Sequence, residues 1–588
     1  MSQKRISRSI TAAVAGIALC GTAVAQDSSI CRMEQVEGQK RLVPDFRKMV
    51  VITPDGDDAD VFGNGRFSLS STLAQILRTS VRIDPAASDA NARLDAISSP
   101  DAQRELLSSL LRSFWETSRV DANGVVNNVN PRPNEATLSP DDVLKRMKPV
   151  GLFNRLDLAP SSFDFCGEHR IVYAMNTDGL AGFDEGPNRF LLIFEAAVNN
   201  PDRTNSPKGC LGIANFWKNL PSKTPEQRAD ALKAFYFQGD LGDNATKITP
   251  VIHNQHYGVP FGQIRGNIFI TGGDIAGNPW TLREWRMQTI ATGTRLVNDT
   301  VKSNPAPEFY SDSAIVADGS DHGRDQLFAD LRPDFRKRFA LSHVRELIDI
   351  DLGFDSAEQA SQNSTALING ISALFDEKFN DFESISQPPA IDNIRQNVSV
   401  DLKKKIDEEL AKYRLPNGWK LTADHIIARA EALSCGGCHQ LTGNVEIAPG
   451  IVWPRPAGGF VHVTETGQLS PALEEQFLPG RCQSLHRFLF EHQAPAITPP
   501  IAATETPASD GTSVPAVGSA SADVAKVLGA EAALMSLAAE VSAERPADAP
   551  ATETDVVKAE SDLKATVERA RENLGRSGGA FRIGNRTH

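Results

Sequence analysis

The sequence predicts an α+β body over residues 26–414, a smaller and mainly helical unit over 415–495, and a disordered tail over 496–588. Three observations carry this reading. Strand-like and helix-like runs are intermixed as far as about Leu415 without strict alternation, which argues against a doubly wound parallel sheet. The stop signal Leu415-Pro416-Asn417-Gly418 then separates the body from the smaller unit. Beyond Pro495 the composition turns to Ala, Pro, Thr, Ser and Glu, and Phe581 is the only aromatic residue after Phe490. Such a segment buries too little apolar surface to offset its ordering entropy.

The chain opens with Lys4, Arg5 and Arg8, then an apolar run from Ile10 that closes on Ala23-Val24-Ala25. A basic start, a short apolar stretch and a small-x-small ending predict a signal peptide over 1–25, hence a periplasmic or secreted protein. Leu19 before Cys20 does not suit a lipoprotein site. In the body, β-branched and aromatic runs predict strands at Met49–Thr53, Arg170–Met175, Arg189–Val198 and Gln263–Thr271. Apolar spacing near 3.6 predicts helices at Asp101–Ser118, Thr224–Phe237, Asp325–Asp349 and Thr365–Phe379, with a long charged helix over Ile391–Tyr413. Thr224-Pro225-Glu226-Gln227 carries the residues of a capped helix start. Ala423–Leu433 and Ser470–Phe490 predict two helices of the second unit, and Asp523–Glu544 and Ser561–Arg576 have helical spacing within the tail.

A net charge of -13 without a basic stripe argues against nucleic acid as a partner. No segment after the signal peptide is apolar enough to predict a membrane span. Six cysteines come after residue 25: Cys31, Cys166, Cys210, Cys435, Cys438 and Cys482. In an oxidising compartment all can pair. If a cofactor takes Cys435 and Cys438, the other four allow three connectivities, and the sequence does not choose among them.

Ser434-Cys435-Gly436-Gly437-Cys438-His439 contains Cys-x-x-Cys-His, the c-type haem attachment signature. The chemistry requires this spacing. Two thiols must reach two vinyl groups on one porphyrin edge, and the adjacent imidazole must then reach the iron. Gly436 and Gly437 add no bulk between the anchors. The residues from about 415 to 495 resemble a c-type cytochrome domain: a helix, the attachment motif, loops and a closing helix. That resemblance implies one covalent haem c per chain, with Cys435 and Cys438 as thioether anchors and His439 as the proximal iron ligand. It departs from the many cytochromes that use a downstream Met, since the next Met after His439 is Met535. The second axial position then falls to His462, His486, His492, a residue of the body, or nothing. His462, in Gly459-Phe460-Val461-His462-Val463, is the first candidate.

The functional expectation is an exported mono-haem protein that transfers electrons in the periplasm, with a redox protein or a small molecule as partner. A second class is a haem-dependent oxidoreductase whose body holds a substrate against the cofactor. A third is a secreted binding protein without haem, in which Cys435 and Cys438 form a structural disulfide or join Cys482 and His486 in a Cys₃His zinc site. No catalytic motif is legible in the body. His253 and His256 read as structural histidines, because Pro250 and Gly258-Val259-Pro260 oppose a regular helix there. Asp55, Asp57, Asp58 and Asp60 lack the EF-hand order and read as an acidic turn. The charges of Arg155-Leu156-Asp157 and Arg283-Glu284-Trp285-Arg286 read as buried or interfacial ion pairs rather than an active site.

Overall fold

The computed structural model describes residues 31–493, except 37, 84–85, 116–117, 121–125, 129–130, 176–188, 243–246, 259–261, 270–279, 291–292, 313–321, 386–392 and 457–460. The expected signal peptide, Cys20 and the tail with its two helix-like pieces lie outside the described residues. Within them the chain is an α+β fold built on one large antiparallel sheet. Its strands are β1 (Val51–Ile52), β2 (Met147–Arg155), β3 (Phe165–Met175), β4 (Arg189–Asn199), β5 (Gln263–Phe269), β6 (Thr281–Ile290) and β7 (Gly293–Asp299). They lie side by side in chain order, and β8 (Glu383–Ile385) pairs with Thr281–Arg283 of β6 beyond the end of β7. The four expected strands fall on β1, β3, β4 and β5. Local patterning does not predict β2, β6 and β7.

Residues two apart share a face of a strand, so each strand here has two characters. Tyr173, Phe194, Ile264 and Trp285 belong to one apolar core. The helix Leu69–Arg78 meets this face through Thr72, whose hydroxyl lies 2.7 Å from that of Tyr173. The helix Pro225–Gln238 meets it through Tyr236, which donates to the Arg170 carbonyl at 3.1 Å. That helix carries the expected cap: Thr224 Oγ1 accepts from Gln227 N, and the Gln227 side chain accepts from Thr224 N. The alternate positions Arg170, Val172, Arg189, Leu191, Ile193, Glu195, Arg265, Asn267 and Leu282 line the opposite side, where a cavity separates the sheet from residues 439 and 461–473.

Helical boundaries differ from expectation where local chemistry intervenes. The helix Pro100–Arg112 ends in a 3-10 turn, Ser113–Trp115. His322–Arg338 continues through a π turn, Phe339–His343, into Val344–Ile348. Ser364–Gly370 stops well short of Phe379. The long charged helix is two, Ile394–Asn397 and Val400–Leu410, because Ser399 starts the second by accepting from Leu402 N at 3.1 Å.

Two apolar cores organise the whole. One gathers buried residues between Cys31 and Leu296 and also Leu478, Cys482, Leu485, Phe488 and Leu489 of the last helix. The other gathers residues from Ala306 to Phe477 around the helix Ala423–Leu433. The helical core around the motif therefore begins near residue 306, before the boundary expected at 415, and the closing helix Leu478–Gln493 packs with the sheet. Two disulfides, Cys31–Cys482 and Cys166–Cys210, lie in the first core. No helix among the described residues is long and apolar enough to cross a membrane.

Candidate functional site

Helix Ala423–Leu433 delivers the motif. Its start is capped by Thr422, whose Oγ1 accepts from His425 N while Thr422 N donates to His425 Nδ1. A buried ion pair fixes the helix: Arg429 binds Asp351, with Nη2 to Oδ1 at 3.0 Å, and donates to the Ile447 and Leu347 carbonyls at 2.8 Å. Trp419 Nε1 donates to the same aspartate at 2.8 Å. Pairing and hydrogen bonding together make such a burial tolerable.

The turn into the motif is tight. Ser434 donates through Oγ to the Glu431 carbonyl at 2.8 Å and accepts there from Gly437 N at 3.0 Å. A Cβ added at Gly437 would collide with that same carbonyl, so only glycine fits. Gly437–Leu441 forms a π turn, closed by Thr442 N on the Gly437 carbonyl at 2.8 Å. The Glu431 carboxylate accepts from Arg395 at 2.6 Å and from Thr442 Oγ1 at 3.0 Å, and Arg395 also reaches the Leu441 carbonyl at 2.7 Å. This brace surrounds the motif.

Cys435 and Cys438 are buried and form no disulfide, while the other four cysteines from Cys31 onward are disulfide-bonded. Cys435 packs with Leu282 and Val301. Burial pushes its thiol pKa up, and Arg265 opposes that rise. His439 is buried, and its ring meets that of His462 at a centroid distance of 4.8 Å and an angle of 67°. His462 Nε2 lies 3.7 Å from Cys438 Sγ, and Nδ1 lies 2.9 Å from Ser470 Oγ. Burial, then the neighbouring His439 and Arg481, hold the His462 pKa well below the ordinary range, so its imidazole is neutral. The isolated bridge Val463–Leu469 supports the loop that carries it.

Of the expected site residues, Cys438, His439 and His462 thus come together, and Cys435 lies against β6. The other histidines weighed as axial partners lie elsewhere. His486 packs against Phe46, and His492 against Phe163 and Phe488. The Cys₃His set is not assembled, because Cys482 is bonded to Cys31. His486 lies near that pair, whose sulfurs the disulfide already consumes. A Cys435–Cys438 disulfide is likewise not formed.

The cavity beside His439 and His462 has a volume of about 80 Å³. Its sheet wall is charged. Arg170 pairs with Glu168 at 2.7 Å and Glu195 at 3.1 Å, and Arg265 with Glu284 at 3.0 Å and Glu195 at 3.4 Å. Arg189 holds Glu465 at 2.8 Å, tying the His462 loop to β4, and stacks 4.8 Å over Trp280. Sequence reasoning missed this wall. Its signal is the even spacing of Glu168 and Arg170 on one strand and of Arg189 and Glu195 on the next, with Arg265 and Glu284 as a cross-strand pair.

The remaining candidates behave as structural residues. His256 is buried with Nδ1 3.0 Å from the Val251 carbonyl, and His253 Nδ1 accepts from Gln255 N at 3.2 Å. In the acidic turn, Asp58 is held by Arg228 at 2.6 Å and Asp55 by Arg47 at 3.1 Å. Arg155 pairs with Asp157 at 2.9 Å, Arg283 with Glu383 at 3.5 Å, and Arg286 with Asp299. No protein-family model, no curated protein and no solved structure matches this chain.

Proposed function

We propose that this chain is an exported mono-haem c-type cytochrome-like protein whose role is one-electron transfer in the periplasm. The observation that carries the reading is the Cys-x-x-Cys-His motif itself, whose two buried cysteines stay out of disulfides in a fold that joins its four other described cysteines. When bound, the haem supplies an Fe(III)/Fe(II) couple. Cys435 and Cys438 would anchor it, with His439 as one axial ligand and His462 as the other. The chemistry of these donors fits the group: two thiols, and a neutral imidazole oriented by a hydroxyl at its far nitrogen. The charged cavity wall supports a second reading, in which the body presents a polar substrate to the haem.

The test is expression in a bacterium with active haem-attachment machinery, then denaturation and a pyridine haemochrome spectrum. Haem that stays with the denatured polypeptide, and is absent from the Cys435→Ala/Cys438→Ala variant, is the expected result. Matured protein without a Soret band overturns the reading.

A further inference from the structure

Arg481, on the helix Leu478–Gln493, is only 3% exposed, yet it makes no hydrogen bond or ion pair among the described residues. Its Nε and Nη2 are buried without a partner. This is a costly arrangement. A guanidinium does not shed its proton at any ordinary pH, and an isolated buried charge costs several kcal/mol. Asp157 favours the charge, but that carboxylate is already held by Arg155 at 2.9 Å. Arg155 and Arg170 add like charge, and both are committed to carboxylates of their own: Arg155 to Asp157, and Arg170 to Glu168 and Glu195. Arg481 comes four residues after Phe477, whose ring lies 6.1 Å from that of His462, and Arg170 and His462 both line the cavity beside the motif. A guanidinium whose Nε and Nη2 have no partner is thus buried near the proposed cofactor site.

We infer that Arg481 is a buried anion-binding residue and that its ligand is a carboxylate, first of all a carboxylate of the haem. The inference rests on the haem reading for the identity of that carboxylate, but not for the need of an anion. A planar guanidinium fork takes a carboxylate through two parallel hydrogen bonds, and such a pair is strongest where water is excluded. Arg481 in this role would turn an unfavourable burial into a reason for the cofactor to stay. A small free anion such as phosphate has the same chemistry and is the other source.

The experiment compares Arg481→Gln and Arg481→Lys with the parent, each with haem attached and in the Cys435→Ala/Cys438→Ala background, by thermal unfolding with and without added phosphate. A haem carboxylate as ligand gives a change of sign. Arg481→Gln lowers Tm in the haem-loaded protein, and raises it in the haem-free background, where it removes an unpaired charge. Arg481→Lys falls between. A free anion as ligand instead gives a haem-free protein that phosphate stabilises, with Arg481→Gln abolishing that gain; this supports the site even if no haem is ever found. Should the haem-free background not fold, redox-difference infrared spectra of the loaded protein decide. Haem carboxylate bands that shift in Arg481→Gln and move back in Arg481→Lys support the inference, and unmoved bands reject it. Haem retained in all variants, one sign of effect throughout and no response to phosphate would overturn the inference while leaving the haem reading intact.

Discussion

The hydroxyl of Ser470 sits 2.9 Å from Nδ1 of His462 and turns the opposite nitrogen, Nε2, toward the attachment motif. Ser470 is itself fixed twice, since its N–H donates to the His462 carbonyl at 2.9 Å and its Oγ accepts from Leu473 N at 3.2 Å. The imidazole is therefore aimed by groups outside the motif, as axial ligands commonly are. In the haem-loaded protein, His462→Ala is expected to convert a six-coordinate low-spin spectrum into a five-coordinate high-spin one that binds carbon monoxide when reduced. Ser470→Ala is expected to keep the low-spin spectrum while loosening the ligand. Absorption spectra before and after reduction decide it, and an unchanged His462→Ala spectrum removes His462 from the axial role.

Gly437→Ala has an expected cost that is local and steric. The added methyl runs into the Glu431 carbonyl, which also receives the Ser434 hydroxyl, so the turn must open. Overpacking of this kind costs about 1–3 kcal/mol, and the displaced backbone would carry Cys438 with it. Lower Tm together with a reduced yield of attached haem is the expected pair of results. A variant with parental stability and full haem content would show that the turn is not under this constraint.

Acid should weaken the body through buried neutral histidines. Burial holds the His169 pKa down to about 3 and the His256 pKa down to about 4. Trp217 Nε1 donates to His169 Nδ1 at 3.2 Å, a bond that needs the neutral ring. A folded-state pKa below the unfolded value of about 6.5 means that the stability is full above that pH and is lost as the pH falls toward the folded value. For His169 the whole loss is on the order of 5 kcal/mol. Urea unfolding at pH 7 and pH 4.5 should therefore show a smaller difference for His169→Phe than for the parent, by roughly 2–3 kcal/mol. Equal pH dependence in the two proteins would mean that His169 is not the group responsible.

How much of the fold is legible in the sequence depends on whether a segment shows one character or two. β3, β4 and β5 announce themselves through Ile171, Val172 and Tyr173, through Phe190, Leu191 and Leu192, and through Ile264, Ile268 and Phe269. β6 does not, because Arg283, Glu284 and Arg286 break the apolar run, and the burial of Arg283 and Glu284 in ion pairs is a tertiary fact. β2 is hidden by Pro149 and Gly151, which the strand accommodates at an irregularity in its pairing with β3. The helix over Ala423–Leu433 and its entry into the motif can be read directly from local spacing. The sequence ranks His462 first as the partner of His439, but it does not reveal Ser470 as the residue that aims it. The choice of Cys31 for Cys482 and Cys166 for Cys210 is made by packing between distant segments, which no local pattern encodes.

The bond between Cys31 and Cys482 spans 451 positions of the sequence, and it ties the first described residue to the helix that comes after the helical core. That core is consequently an excursion made between two stretches of chain that are stapled to each other. Carriers that ferry charge on a swinging tether have one attachment and wide reach; this arrangement has two and little. Under the electron-transfer reading, a group held at the motif would work from a fixed berth against the sheet, and a partner would have to approach it rather than be visited.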